Sequence, residues 1–277
     1  MSGRTTGLYW WQGLGMAIAC AIIWYPNSTV AQIIPDDTLP NNSNVTLNGN
    51  TTIIEGGTTR GANLFHSFKD FSIPQNSAAL FNNVQEIQNI LTRVTGGSIS
   101  NIDGLIRANG KANLFIINPS GIIFGANARL DIGGSFLAIT ASSLKFADGF
   151  EFSATNPQTP LLTISVPVGL QYGNNAKSVQ VRGSILEGKP GETLALVGGD
   201  VSVEGGALRS SSGRIELGAV ADFGMVDLKG QQSEGVFRLT SLLFPETVGR
   251  ADILLENSAK VVTLTSTPRH CRSQMAL

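Results

Sequence analysis

Two pairs of carboxylates are the strongest candidates for catalytic chemistry in this sequence. Asp200 and Asp222 lie 22 positions apart, and Glu204 and Asp227 lie 23 positions apart. In a fold that repeats at this interval each pair would stack, and stacked carboxylates can hold calcium or act as general acid and base. The alternative is that they occupy solvated corners, because aspartate is common at turns. We adopt the second interpretation, which predicts that the protein is not an enzyme.

Other catalytic residues are sparse. His66 and His270 are the only histidines, and no cysteine or carboxylate spacing makes either of them a metal ligand. His66 is predicted to lie on the surface of a strand. No serine stands in a Gly-x-Ser-x-Gly elbow. The sequence therefore predicts no catalytic residue, no metal and no cofactor.

The composition favours many short strands. Charged residues make up 14% of the 277 residues, and glycine occurs 32 times. Such a chain has many possible corners and few positions for long amphipathic helices. The net charge of −1 gives no reason to expect nucleic-acid binding. Such binding needs clustered lysine and arginine residues that neutralise phosphates and displace their counterions.

A loose repeat indicates how these strands are arranged. Between Leu196 and Leu217, 21 positions apart, there are three short runs in which apolar and small residues alternate, separated by glycines. Three strands per repeat predict a parallel β-helix in which alternate side chains face inward. Similar runs are residues 112–124, 130–139, 179–186, 225–228, 236–239, 253–255 and 261–264.

At roughly 20 to 22 residues per coil the chain would hold about nine to eleven coils and extend about 45 Å. Enzymes that cleave polysaccharides also use β-helices. A carbohydrate-active lyase or hydrolase, acting through the carboxylate pairs above, is therefore the alternative function.

Two segments interrupt the repeat. Residues 83–94 have apolar positions at helical spacing and predict a helical turn that leads into a strand. Residues 155–170 contain prolines that cannot donate to a central ladder, so we expect an excursion from the helix, in the form of a hairpin lying on it. The aromatic series is expected to be mostly core, with some members closing the amino-terminal end; it comprises Phe65, Phe68, Phe71 and Phe81.

Residues 1–31 have the layout of a secretory signal peptide. Arg4 supplies a positive charge, an apolar run follows, and small residues precede a predicted cleavage between Ala31 and Gln32. The alternative is an uncleaved amino-terminal anchor. Removal of the signal leaves Cys271 as the single cysteine, and a chain without internal disulfides is suited to crossing a second membrane unfolded.

A short turn motif lies between two apolar pairs, at Asn118, Pro119, Ser120, Gly121 and Ile122. Proline presets φ for the first corner of the turn and glycine ends it, which predicts a type I turn. The Asn118 side chain can bond its own backbone two residues on and fix the corner.

This motif, with the glycine- and asparagine-punctuated strands around it, resembles the filamentous haemagglutinin amino-terminal family of two-partner-secretion (TPS) exoproteins. The family has an Asn-Pro-Asn-Gly-Ile turn, which is matched by Asn118, Pro119, Gly121 and Ile122, whereas Ser120 replaces the second asparagine. Its other hallmark, Asn-Pro-Asn-Leu, is absent from the sequence. The resemblance implies an all-β, right-handed parallel β-helix with an amino-terminal cap near residues 33–54.

The resemblance also implies a function and a partner. Residues 32–265 would be the secretion domain, followed by an irregular tail at 266–277. An outer-membrane barrel transporter would recognise the chain while it is extended and export it through the periplasm to the cell surface or medium of a Gram-negative-type cell. Adhesion is the family's usual outcome; for this chain we expect a monomer whose candidate partners are surface glycans or cells. A purely structural surface protein without a transporter is a further alternative.

Overall fold

The computed structural model describes residues 3, 32–158, 162–233 and 236–264. The described residues from 32 to 264 belong to one compact unit. The predicted signal peptide up to Ala31 and the predicted tail with His270 and Cys271 lie outside the described residues. Within the described ranges, no helix is long and apolar enough to cross a membrane.

The described part of the chain is built from strands. The amino-terminal strands are β1 (Ile33–Pro35), β2 (Ser43–Asn48), β3 (Thr51–Gly56), β4 (Thr58–Arg60), β5 (Asn63–Phe71) and β6 (Ala78–Phe81). There follow β7 (Asn89–Val94), β8 (Ser100–Ile102), β9 (Leu105–Ala108), β10 (Asn113–Ile117), β11 (Ile122–Phe124), β12 (Arg129–Asp131) and β13 (Phe136–Ile139). The middle strands are β14 (Ser143–Phe146), β15 (Glu151–Ser153), β16 (Pro167–Tyr172), β17 (Val179–Arg182), β18 (Ile185–Gly188), β19 (Thr193–Gly198) and β20 (Val201–Glu204). The last strands are β21 (Ala207–Ser211), β22 (Arg214–Ala219), β23 (Gly224–Ser233), β24 (Val236–Leu243), β25 (Ile253–Glu256) and β26 (Lys260–Leu264).

Parallel pairing between successive repeats makes a three-sided β-helix. The first face stacks β5, β7, β10, β13, β19 and β22, and the second face stacks β8, β11, β17, β20 and β25. The third face is formed by β3, β6, β9 and β12 and, after a gap in the pairing, by β18, β21 and β26. Each coil visits the three faces in this order, which confirms the predicted parallel β-helix.

The predicted repeat is present, but there are fewer coils than expected. Leu196 pairs in register with Leu217 one coil later, and three strands lie in that interval. Within the described part of the chain the first face has six parallel strands, fewer than the nine to eleven coils estimated, so that estimate is wrong. At about 4.8 Å per coil the six extend about 24 Å from first to last, about half of the expected length. The cap and two excursions use the remaining residues.

The interior of the helix is a continuous apolar column. Inward positions of the three faces, such as Leu114, Ile122 and Ile106, are fully buried. They belong to one cluster that runs from Ile33 to Leu208, with the last coil's Ile215 and Leu217 packed against its end. Alternation in each strand produces this column, because successive side chains point to opposite faces.

The amino-terminal end is closed by antiparallel strands, as the predicted cap requires. β1 pairs antiparallel with β5, and β2 forms an antiparallel hairpin with β3 before β3 joins the third face in parallel. Ile33 and Ile54 are buried in the apolar column. The cap therefore covers the first coil with side chains that no earlier coil supplies.

A second sheet lies outside the helix. It has the order β15-β14-β16-β23-β24, and all of its pairings are antiparallel. Its buried side chains and the outward side chains of the first face form a second apolar cluster. The predicted excursion is confirmed, although it begins at β14 rather than at residue 155. Residues 225–228 and 236–239, expected to belong to coils, lie in the β23–β24 hairpin, so that prediction is wrong.

Residues 83–94 form a single turn that leads into a strand, as predicted. The Ile87 amide donates to the Val84 carbonyl oxygen at 3.2 Å, which closes one turn, and β7 begins at Asn89. The helical spacing arises because Ile90 and Val94 alternate inward along a strand, whereas Val84 is exposed at the turn. Alternation and helical periodicity coincide over so short a run.

His66 is buried, and the prediction of a surface position is wrong. Its side chain is 1% exposed, its Nδ1 is 2.9 Å from the Ser43 Oγ, and its ring lies 5.5 Å from that of Phe81 and 5.9 Å from that of Phe68. All four phenylalanines of the predicted core series are likewise buried. Burial lowers the pKa of His66 to about 3. The neutral histidine thus belongs to the interface between cap and first coil.

This buried histidine makes stability depend on pH. In the unfolded chain His66 takes up a proton near pH 6.5, whereas the folded chain resists protonation down to about pH 3. The free energy of unfolding is expected to fall as pH is lowered through this window, by at most about 5 kcal/mol. His66→Asn should be less stable at pH 7 but lose less stability on acidification. Urea denaturation of both proteins between pH 3 and 7 measures this, and parallel curves would contradict it.

Candidate functional site

The predicted turn motif lies at the corner between the first and second faces. It connects β10 to β11 in the third coil. At the same corner of the fourth coil the chain leaves for β14–β16, and at that of the sixth coil it leaves for β23–β24. The motif therefore lies beside the point where the first excursion departs.

The turn itself has the predicted form. The Gly121 amide donates to the Asn118 carbonyl oxygen at 3.0 Å, and the Ser120 amide donates to the Asn118 Oδ1 at 2.9 Å. Gly121 has φ of +113°, a left-handed value that disfavours other residues. The bond to Oδ1 comes from the backbone of residue 120, so serine supports this corner as well as asparagine would.

The Asn118 side chain is fully buried and joins two coils. Its Nδ2 donates to the Ser98 carbonyl oxygen and to the Ser100 Oγ, both at 2.9 Å, and both acceptors belong to the preceding coil. Pro119 and Ser120 are partly exposed. In the folded state the amide group is thus committed to internal hydrogen bonds.

The corner also closes the neck of the excursion. The Ile122 amide donates to the Ser178 carbonyl oxygen at 3.2 Å, where the chain returns to the helix. At the point where the chain leaves the helix, the Thr140 Oγ1 donates to the Lys177 carbonyl oxygen at 2.6 Å. The motif thereby fixes the register of three consecutive coils.

A buried polar ladder runs along the start of the first face and was not predicted. The Nδ2 of Asn89 donates to the Oδ1 of Asn63, and the Nδ2 of Asn113 donates to the Oδ1 of Asn89, each at 2.9 Å. The Asn113 Oδ1 accepts the Ser135 amide at 2.9 Å. The signal in the sequence is the repeated Ala-Asn-Leu-Phe at residues 62–65 and 112–115.

A buried arginine, also unpredicted, connects the cap to the first two coils. Arg93 in β7 is fully buried, and its Nε donates to the Ser67 Oγ at 2.9 Å and its Nη2 to the Thr38 Oγ1 at 2.8 Å. Ser67 and Thr38 in turn donate to the Asp36 carboxylate at 2.7 and 2.6 Å. No sequence pattern marks this cluster, because its members come from separate strands and loops.

The charges of this cluster are compensated through hydrogen bonds. Burial lowers the pKa of Arg93 to about 10 against the opposing effect of Asp36, so the guanidinium stays charged at neutral pH. Burial alone would raise the pKa of Asp36, but hydrogen bonds from Thr38, Thr95 and Ser67 outweigh it and hold that pKa below its usual value. The cluster is a hydrogen-bonded ion pair with hydroxyl groups between the charges.

The alternative of stacked carboxylates finds no support in the pairing of the strands. Asp200 precedes the pairing of Val201 with Ile253, and its Oδ1 accepts the Asp252 amide, so its hydrogen-bonded partner in the next coil is Asp252. Glu204 pairs with Glu256, whereas Asp227 pairs with Gly169 in the outer sheet. Across residues 32–158, 162–233 and 236–264, no three histidine, cysteine or acidic residues are grouped to hold a metal ion.

Truncation of Asn118 tests its role as a link between coils. Asn118→Ala leaves the Ser98 carbonyl oxygen and the Ser100 hydroxyl without their buried donor, so we expect a loss of about 2–3 kcal/mol in the free energy of unfolding. The matched control Ser120→Ala changes the partly exposed neighbour and should cost under about 0.5 kcal/mol. Urea denaturation of both variants measures the difference, and equal losses would argue against the assigned role.

Comparison with known proteins agrees with this architecture. The family described as "TPS secretion domain" matches residues 31–266. A crystal structure of the HMW1 secretion domain from Haemophilus influenzae is similar with a TM-score of 0.52 and 22% identity, over 84% of this chain and 57% of that chain. The heme/hemopexin-binding protein of H. influenzae strain Rd is 34% identical over 94 residues, which are 34% of this chain and 10% of that protein.

The chain thus spans about a tenth of that curated relative and little more than half of the solved structure. The structural likeness supports the β-helix fold, and the family match covers the cap, the coils, both excursions and the Asn118 corner. The chain belongs to the TPS secretion domain family, the secretion domains of exoproteins that pass through the periplasm to the cell surface or the medium.

Proposed function

We propose that an outer-membrane barrel transporter recognises this chain in the periplasm and exports it to the surface or medium. The observation that carries the proposal is the family match over residues 31–266. Sequence and corner geometry together suggest that the recognised element includes Asn118, Pro119, Gly121 and Ile122. The transporter's periplasmic modules would be the direct partner.

Recognition is assigned to the extended chain, because the folded chain buries the side chains of Asn118 and Ile122. The Asn118 side chain is fully buried and donates to two acceptors of the preceding coil. A partner that reads this amide must therefore meet it before the coils stack. The same residues would then have two roles: the transporter recognises them in the extended chain, and they later form the turn between the first and second faces.

Folding outside the cell supplies a driving force in this proposal. A coil buries its inward side chains only against its neighbours, so stacking proceeds along the helix and opposes backward slipping. The cap supplies the surface against which the first coil packs, since Ile33 and Ile54 are buried in the apolar column. Export could then proceed without nucleotide hydrolysis.

The signal peptide enters the proposal as residues 1–31. Cleavage between Ala31 and Gln32 would leave β1 at the start of the mature chain, because Ile33 is its first residue. The Gln32 carbonyl oxygen accepts the Ser72 amide at 3.3 Å, so the cap uses the chain up to the proposed cleavage point.

The exported chain is proposed to act as an adhesin-like monomer whose targets are surface glycans or cells. The relative named as a heme/hemopexin-binding protein illustrates that such domains occur in proteins with a ligand-binding role. We assign no catalytic role to the chain, since Glu204 lies in a coil and Asp227 in the outer sheet, and Asp200 accepts a hydrogen bond from the Asp252 amide.

Export is the direct test. The chain, tagged at its carboxyl end, is expressed with and without a cognate two-partner barrel, and medium and periplasm are compared. We expect barrel-dependent appearance in the medium and at least a tenfold reduction for Asn118→Ala combined with Pro119→Ala. Retention in the periplasm with the barrel present would overturn the proposal, and barrel-independent appearance would favour a surface protein without this partner.

A matched variant separates recognition from stability. Leu196→Ala removes a fully buried side chain from the column and should cost about 2–5 kcal/mol while leaving the motif intact. If recognition uses the extended motif, Leu196→Ala unfolded in urea and then diluted into buffer with the barrel's periplasmic modules still binds them before it refolds, and the Asn118 variant treated in the same way does not. Equal binding of the two unfolded chains would contradict an address at this turn.

A further inference from the structure

The outward side chains of the first coils form an apolar surface that the first excursion covers. Phe65 in β5 is fully buried between two aromatic rings of the outer sheet. Its ring centroid is 5.2 Å from that of Phe152, in edge-to-face geometry, and 5.9 Å from that of Phe146. Leu91 and Phe115 continue this surface along the next two coils. Without the excursion this surface would be exposed to water.

The same excursion completes the environment of Arg93. Its Nη1 donates to the Ser153 carbonyl oxygen at 2.7 Å, and its guanidinium carbon lies 4.5 Å from the centre of the Phe152 ring. The other nitrogens of the guanidinium are bound by Ser67 and Thr38, from the first coil and the cap. One buried cation thus holds the cap, the first coil and the β14–β15 hairpin together.

A second contact joins the excursion to the end of the polar ladder. The Asn63 Nδ2 donates to the carbonyl oxygens of Thr163 and Ser165, at 3.2 and 2.8 Å. Thr163 and Ser165 lie 100 and 102 positions after Asn63 in the sequence. Ile164 between them lies against Gly61, where an added Cβ would be 3.2 Å from its Cγ2. The loop before β16 therefore covers the Asn63 end of the ladder, which lies in the first coil and has no earlier coil beside it.

We propose that the excursion, whose described residues are 143–158 and 162–172, is a folding clasp: the cap and first coil become stable only when these residues have docked on them. A buried guanidinium deprived of one hydrogen-bond acceptor and its aromatic cover is strongly destabilising. The apolar side chains beneath the excursion would be solvated as well. The contacts close loops of 60 to 102 residues, so they form only after that length of chain is available.

The clasp has a consequence for export that rests on the proposed function. The turn at residues 118–122 precedes the clasp in sequence, so it enters the periplasm while the amino-terminal coils still lack their cover. The motif then stays extended and available to the transporter at least until residues 143–172 have followed it. The clasp thus prolongs the state that the transporter reads.

Pulse-labelling hydrogen exchange during refolding of the full chain from urea tests the order of folding. We expect amides in β1, β2 and β5 to gain protection in the same kinetic phase as those in β14 and β15. Protection of β1 and β5 in an earlier phase would overturn the proposal. The measurement needs no transporter, so its failure leaves the export proposal intact, and a failed export assay leaves the clasp intact.

Matched variants test the coupling in the native state. Phe152→Ala should raise the exchange rate of amides in β1 and β5 at least tenfold relative to β19 and β22. The control Leu228→Ala truncates a buried residue of the same sheet, in β23, three strands from Phe152, and should not single out β1 and β5. Phe152→Leu replaces the alanine variant if that does not fold. Equal increases of the exchange rates in β1, β5, β19 and β22 for both substitutions would refute the clasp.

Discussion

The structure depends on the fact that no coil can bury its own inward face. Each coil supplies apolar side chains from three strands, and these leave water only when another coil lies above or below. The six stacked coils share one column, so their stability is a property of neighbours rather than of single strands. The antiparallel cap follows from this constraint, because the first coil has no predecessor. Each excursion leaves the helix between strands of one coil, so the column continues beneath it.

Apolar stacking alone would leave the register of the coils weakly specified. The buried polar groups remove this freedom, since a displaced coil would leave them without partners. Asn89 both donates to and accepts from the same residue type in the adjacent coils, so the ladder permits one alignment. Asn118 does the same at the next corner by joining its coil to Ser98 and Ser100. Register is therefore fixed by amides at the corners and stability by aliphatic side chains between them.

Sequence patterns predicted the features that are local or repeated. The pairing of Leu196 with Leu217 follows from alternation and interval, and the Asn118 turn follows from the conformational preferences of three residues. Features that depend on distant partners were missed. The β23–β24 hairpin alternates like a coil, because an antiparallel strand with one buried face has the same pattern as a parallel one. His66 and Arg93 are polar by type, and their burial depends on Ser43 and Ser153, which are far from them in sequence.

The substitution at position 120 separates the two roles of the turn. In the folded corner residue 120 contributes its backbone amide to the Asn118 Oδ1, so the fold places little demand on its side chain. By contrast, the fold requires the side chain of Asn118, since its buried amide donates hydrogen bonds to the preceding coil. A requirement for asparagine at position 120 would therefore have to come from a partner that meets the extended chain. Serine at this position preserves the turn and changes only the side chain that such a partner could contact.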